Sequence, residues 1–189
     1  MALKTLVKVG GVTNLSDARY CAGMGVELLG FRAVDGQENF VSSKQFQEIR
    51  GWVTGPQIVA EIYGIKTSEE LNEVIENYRP DYLEFGLAEL QSIGSAISLP
   101  FILALDNGTN LPSTTLKPAY VLLPHTAAHL ERLLPEHEVL LIAETMDQVQ
   151  AVVMGTGITG IALTGGNEIK PGLKDFDDLA QILEALETD

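Results

Sequence analysis

The sequence predicts an α/β fold: a compact single-domain barrel of eight parallel strands alternating with helices, its fifth helix short or missing. Three observations carry this. Eight short runs rich in Val, Ile and Leu recur along the 189 residues, with starts about 22 residues apart. The runs are continuously apolar rather than alternating, the pattern of parallel strands covered on both faces. Amphipathic stretches lie between them, and the spacing is tight but sufficient for a strand–helix unit. Strict alternation fits a closed (β/α)8 barrel or an open doubly wound sheet, and eight parallel strands favour closure. No Gly-x-Gly-x-x-Gly follows the first strand, and Gly155-Thr156-Gly157 sits before the last strand, the wrong end for a cofactor loop.

The strands are read at Leu6–Val9, Glu27–Phe31, Ile58–Tyr63, Tyr82–Phe85, Pro100–Leu105, Ala119–Leu123, Glu138–Ala143 and Gly160–Leu163. Helix starts are marked by side chains that can accept from orphan backbone N–H groups. Asn14 precedes the first helix, with Asp17 three residues on. Ser42 and Ser43 precede Lys44–Trp52, and Thr67-Ser-Glu-Glu70 is a capping box before Leu71–Tyr78. The fourth helix is read at Gln91–Ile97, the sixth at Thr126–Leu134, the seventh at Met146–Met154 and the eighth at Asp175–Leu186. Asp106–Pro118 is too short and too rich in Pro for a full fifth helix.

Composition narrows the function classes. Twelve Lys plus Arg against 26 Asp plus Glu give a net charge of −14. A field of that sign repels phosphate backbones and anionic membranes, so neither nucleic acid nor membrane is an expected partner. A single cysteine, Cys21, excludes an internal disulfide and any multi-cysteine zinc site. Cys21 falls within the first helix and reads as a packing residue. No apolar run approaches the ~20 residues of a membrane span, and the greasy N-terminal stretch is too short for a secretory signal. A cytoplasmic, acidic protein is expected, with no cofactor and no metal.

Three stretches carry a family resemblance. They are Lys8-Val-Gly-Gly-Val-Thr-Asn14 with Asp17-Ala18 and Leu29-Gly-Phe31; Phe40-Val-Ser-Ser43 leading into a helix; and Gly160-Ile-Ala-Leu-Thr-Gly-Gly-Asn-Glu168 followed by Pro171-Gly-Leu-Lys-Asp175. Together they resemble phosphoribosylanthranilate isomerase, a (β/α)8 TIM barrel of tryptophan biosynthesis. The resemblance implies an Amadori rearrangement of an aminoaldose phosphate, which needs a general acid, a general base and a phosphate cradle. The family's base, a cysteine ending the first strand, falls on Gly10. Its acid, an aspartate ending the sixth strand, falls on Pro124. Its arginine-tyrosine pair after the second strand falls on Asn39-Phe40, and its histidine ending the fourth strand falls on Gly86. Its Gly-Gly phosphate turn falls on Glu144-Thr145, where a carboxylate would repel a phosphate, and an aspartate of its eighth strand falls on Ala162. Only the last phosphate loop is kept in kind, as Thr164, Gly165 and Gly166, which can offer backbone N–H groups and a hydroxyl to an anion.

The resemblance therefore implies an isomerase frame without the isomerase's proton-transfer groups. A functioning isomerase using substituted residues is one alternative; a non-catalytic ligand-binding or regulatory module, taking a small phosphorylated or other anionic ligand, is another. Lys8, Arg32, Glu61, Glu84, Asp106, His125 and Glu144 sit on or just past strand ends, and are the candidate polar lining of the barrel mouth. One reading makes them a buried network, Lys8 and Arg32 against Glu61, Glu84 and Glu144. Another makes them a new polar site, with Glu84 or Glu144 as acid or base and Lys8 as partner. No spacing motif supports a metal site among them. His129 and His137 read as surface residues, and Trp52 as a packing anchor.

Overall fold

The computed structural model describes residues 2–112, 115–127, 130–155, 157–165, 168–170, 173–174 and 177–188. Eight parallel strands close into a barrel in chain order. They are β1 (Leu6–Gly10), β2 (Leu28–Arg32), β3 (Gln57–Glu61), β4 (Tyr82–Phe85), β5 (Phe101–Ala104), β6 (Tyr120–Pro124), β7 (Val139–Ile142) and β8 (Gly160–Thr164). Closure is made by β1 against β8, registered Leu6 to Gly160 and Gly10 to Thr164. All eight expected strands are present, with ends shifted by a residue or two.

Helices α1 (Leu15–Gly23), α2 (Ser43–Arg50), α3 (Ser68–Tyr78), α4 (Leu87–Ile93), α5 (Leu130–Leu133), α6 (Met146–Met154) and α7 (Asp177–Ala185) complete the frame. Their starts follow the cap signals. Asn14 accepts from Asp17 N–H at 3.0 Å and Ser42 from Gln45 N–H at 3.3 Å. Thr67 and Glu70 form the reciprocal capping box. Between β5 and β6 no helix occurs among the described residues, as expected of that Pro-rich segment.

Four expectations are corrected. The fourth helix begins at Leu87, not Gln91, because Glu89 caps it: its carboxylate accepts from Gly86 N–H at 3.0 Å. A 3₁₀ turn at Gly94–Ala96 follows it. The helix expected from Thr126 does not start there, since Ala127 N–H closes a turn on Pro124 C=O at 3.0 Å; the described helix is Leu130–Leu133. Residues 128–129, and with them His129, lie outside the described residues. Trp52 does not anchor anything: it is 71% exposed, and the neighbouring Val53 takes the buried place. Last, β9 (Glu168–Lys170) and β10 (Leu173–Lys174) pair antiparallel after the barrel, which periodicity did not indicate.

Side chains on the barrel strands alternate between the interior and the helix layer. Leu28, Val59, Ile102, Leu122, Leu140 and Ala162 pack together inside. The alternate residues, such as Val7, Val9, Leu29 and Phe31, join the larger core beneath the helices. There Phe46 of α2 sits between Phe31 and Tyr78, with ring centroids 5.1 and 5.0 Å away. Among the described residues no helix is long and apolar enough to cross a membrane.

Candidate functional site

Strand parity decides what reaches the barrel's C-terminal mouth. Lys8 and Gly10 share the interior parity of Leu6; Gly30 and Arg32 share that of Leu28; Glu61 follows Val59 and Glu84 follows Tyr82. Four charged residues from four adjacent strands are thus turned into one space. Lys8 Nζ lies 2.8 Å from Glu61 Oε1 and 2.9 Å from Glu84 Oε2, and the three side chains are only 3%, 4% and 3% exposed. Arg32 Nε lies 3.6 Å from Glu61 Oε2. Gly11 N–H donates to the same Glu61 oxygen at 3.2 Å, and the Tyr63 hydroxyl donates to Glu84 Oε1 at 2.8 Å. Buried charges persist only when paired, and each charge here has an ion-pair partner, although Glu84 Oε2 and Arg32 Nε are buried without a hydrogen bond among the described residues.

The cluster needs space that two glycines provide. A Cβ on Gly10 would stand 2.5 Å from Glu61 Oε1 and 2.8 Å from Lys8 Nζ, and one on Gly30 would overlap Glu61 Oε1 outright. The Glu61 carboxylate therefore occupies the volume that side chains at positions 10 and 30 would fill.

Each ionisable group is held in one form for a stated reason. Burial alone disfavours the Lys8 ammonium, but the Glu61 and Glu84 carboxylates outweigh it and raise Lys8 above its ordinary value. Lys8 is a fixed cation at neutral pH and not a base. Burial raises the Glu84 carboxyl and the Glu61 charge adds to this, against Lys8 and the Tyr63 hydrogen bond. Burial, then the charges of Glu84 and Glu61, raise the Tyr63 phenol.

Above the cluster lies a cavity of about 170 Å³. Lys8, Arg32, Glu61, Tyr63, Glu84 and Thr164 form its polar wall, with Leu122, Ile142 and Ala162 opposite. Its volume is below the roughly 300–1,000 Å³ of common small-molecule sites.

Comparison with known proteins gives one consistent answer. No protein-family model matches the chain. The N-(5'-phosphoribosyl)anthranilate isomerase of Xanthomonas campestris is 26% identical over 209 residues, spanning 96% of this chain and 92% of that protein. That of Xylella fastidiosa is 24% identical over 200 residues, spanning 96% and 91%. The solved structure of TrpF from Jonesia denitrificans superposes with a TM-score of 0.78 at 19% identity, covering 96% of each chain. The phosphoribosyl anthranilate isomerase of Thermus thermophilus gives 0.74 at 19% identity, covering 96% of this chain and 98% of that one. Along nearly its whole length the chain is similar to phosphoribosylanthranilate isomerases, and it shares their fold.

Within this barrel the residues singled out from sequence divide. Lys8, Arg32, Glu61 and Glu84 meet in the cluster. Glu144 does not: it is exposed, and its backbone N–H donates to Gln148 Oε1 at 2.7 Å in the turn that starts α6. Asp106 and His125 are exposed as well, and do not line the cavity. The strand ends carry these three past the wall, so they are not part of a network with Lys8. His125 Nε2 instead lies 3.2 Å from Gln148 Nε2. Pro124 ends β6 on the interior parity of Leu122. Thr164 lines the cavity, but the Gly165 N–H is already given to Gly10 C=O at 2.8 Å, so it is not free for an anion. Gly166 lies outside the described residues.

Two side chains that shape this end of the barrel escaped sequence reasoning. Tyr63 carried a usable signal, since it stands two residues past Glu61. Glu89 carried the capping signature, three residues after Gly86; its carboxylate also accepts from Gly64 N–H at 2.8 Å, tying the end of β3 to the start of α4.

Proposed function

We propose that this chain is a phosphoribosylanthranilate isomerase-type barrel that does not carry out the family rearrangement and is kept as a cytoplasmic module for a small anionic ligand, with no nucleic-acid or membrane partner. One observation carries the reading: where the resemblance implies a general base, Gly10 has no side chain, and the Glu61 carboxylate fills the space one would need. Where it implies a general acid, Pro124 has no proton to give. A general base and a general acid each contribute typically 10²–10⁴-fold. Losing both removes most of the rate. The polar groups that stand in the mouth instead do not repeat the lost functions, since Lys8 is held protonated by two carboxylates.

A second reading has support in one group. Glu84 is buried, is hydrogen-bonded by Tyr63 and faces the cavity, so a substituted proton-transfer mechanism would run through it. A coupled assay with phosphoribosyl anthranilate, together with complementation of a tryptophan auxotroph lacking the isomerase, separates the two. The first reading expects no growth and no turnover above background. Growth, with turnover near the ~10 s⁻¹ typical of enzymes, would overturn it.

A further inference from the structure

The two walls of the mouth cavity specify a ligand class between them. On the polar wall, most groups are already engaged. Glu61 receives Lys8 Nζ and Gly11 N–H; Glu84 receives the Tyr63 hydroxyl and faces the Lys8 ammonium. Arg32 differs. Its side chain is 32% exposed, its Nε is shielded from solvent without a hydrogen bond among the described residues, and its ion-pair partner Glu61 Oε2 stands off at 3.6 Å. The β2–α2 connection holds it there: Val41 N–H bonds Arg32 C=O at 3.0 Å, after Asn39 turns the chain at φ 60°. A guanidinium carries five N–H donors in a rigid fork that matches a pair of oxygens.

The opposite wall, Leu122, Ile142 and Ala162, offers only apolar surface. The volume, about 170 Å³, is that of roughly five or six water-sized groups at ~30 Å³ each. The charge also discriminates. Lys8 and Arg32 balance Glu61 and Glu84, so a dianion such as sulfate leaves two negative charges in excess, more than one proton can offset. A monoanion leaves the cluster short by one charge, which a proton on Glu84, the carboxyl that burial raises, makes good.

We propose that the barrel mouth binds a small aliphatic monocarboxylate, its carboxylate on Arg32 beside Thr164 and its short tail against Leu122, Ile142 and Ala162. This rests on the reading above that the mouth no longer serves the isomerase reaction, and names the ligand class of that same site.

The test is isothermal titration of the whole chain with butyrate at neutral pH, with sulfate and butylammonium as contrasts. Butyrate is expected to saturate the protein, and the other two are not. Arg32→Met should weaken butyrate at least tenfold, the loss expected for a charge-assisted hydrogen bond. Arg32→Lys, which keeps the charge without the fork, should weaken it as well, and decides the matter if the Met variant fails to fold. Glu84→Gln, mimicking the protonated carboxyl, should bind butyrate several-fold more tightly. Absence of saturable butyrate binding, binding indifferent to Arg32, or tighter binding of sulfate than of butyrate would each overturn the proposal. Binding is read without turnover, so its failure is distinct from a positive isomerase assay.

Discussion

Adding one methyl group at Gly10 tests the central claim about the mouth. In Gly10→Ala the new Cβ would stand 2.5 Å from Glu61 Oε1, where ordinary contact begins at 3.4 Å. The carboxylate must retreat by about 0.9 Å, the difference of those two distances. It cannot do so freely, because it is held by Lys8 Nζ at 2.8 Å and by Gly11 N–H at 3.2 Å. Overpacking of this kind costs about 1–3 kcal/mol. For a domain of this size each kcal/mol lowers Tm by roughly 2–4 °C, so a fall of about 4–8 °C is expected at the middle of that range. Glu61→Ala alone strands the Lys8 charge on one carboxylate and should cost about 3–5 kcal/mol. The decisive quantity is the double variant, followed by urea denaturation. With the carboxylate gone, the only close contact left is the tip of the flexible Lys8 side chain, Nζ at 2.8 Å, which can shift cheaply, so Gly10→Ala should add little to Glu61→Ala. A coupling of about 1–3 kcal/mol is the expected result. Strict additivity, or a Gly10→Ala variant as stable as the parent, would refute the steric argument.

Other outcomes follow from the same cluster. Lys8→Met leaves Glu61 and Glu84 buried without their shared cation and should destabilise the fold by about 3–5 kcal/mol at neutral pH, measured by urea denaturation. Tyr63→Phe removes the hydroxyl from Glu84 Oε1 and should cost about 1–3 kcal/mol in the same assay. Both Lys8 and Tyr63 are raised in the folded state. The stability they contribute is complete below their ordinary values near 10 and is lost as pH rises beyond them. The urea midpoint should therefore drop between pH 9 and pH 11, and drop less steeply in each of the two variants. Cys21 is fully buried with its thiol pushed up to about 12, so it should react with a disulfide reagent at pH 8 only as fast as the chain unfolds.

The barrel was legible because parallel strands and capped helices leave strong local marks. Thr67 and Glu70 announce α3 three residues apart, and Met146–Met154 is bounded as periodicity requires. Local marks fail where the deciding contact is distant. Glu89 caps α4 on Gly86 nearby, but it also binds Gly64, 25 residues away, a contact that leaves no mark in the neighbouring sequence. The site was half legible for a related reason. Parity places Lys8, Glu61 and Glu84 inside, because a strand's alternation reads directly off the chain. It says nothing once a strand has ended, which is why Asp106, His125 and Glu144 were grouped with them but lie exposed outside the cavity. Tyr63 is the instructive exception: it lies past the end of β3 yet still turns back to Glu84.

The two glycines and the glutamate also constrain how the mouth could have changed. The Glu61 carboxylate as placed leaves no room for a Cβ at position 10 or position 30 unless it moves, since each would collide with the same oxygen. A carboxylate without Lys8 would in turn be an uncompensated buried charge. The four positions therefore form one unit, and a single exchange that restores a side chain at position 10 strains the other three. Gly10→Cys alone would place a thiol against Glu61 and Lys8 and should yield a destabilised protein without turnover. A cysteine there becomes a usable base only once Glu61 is also shortened, and Pro124 still leaves the rearrangement without its acid. Isomerase activity from the single Gly10→Cys variant, read in the coupled assay, would show that the cluster yields more readily than its packing implies.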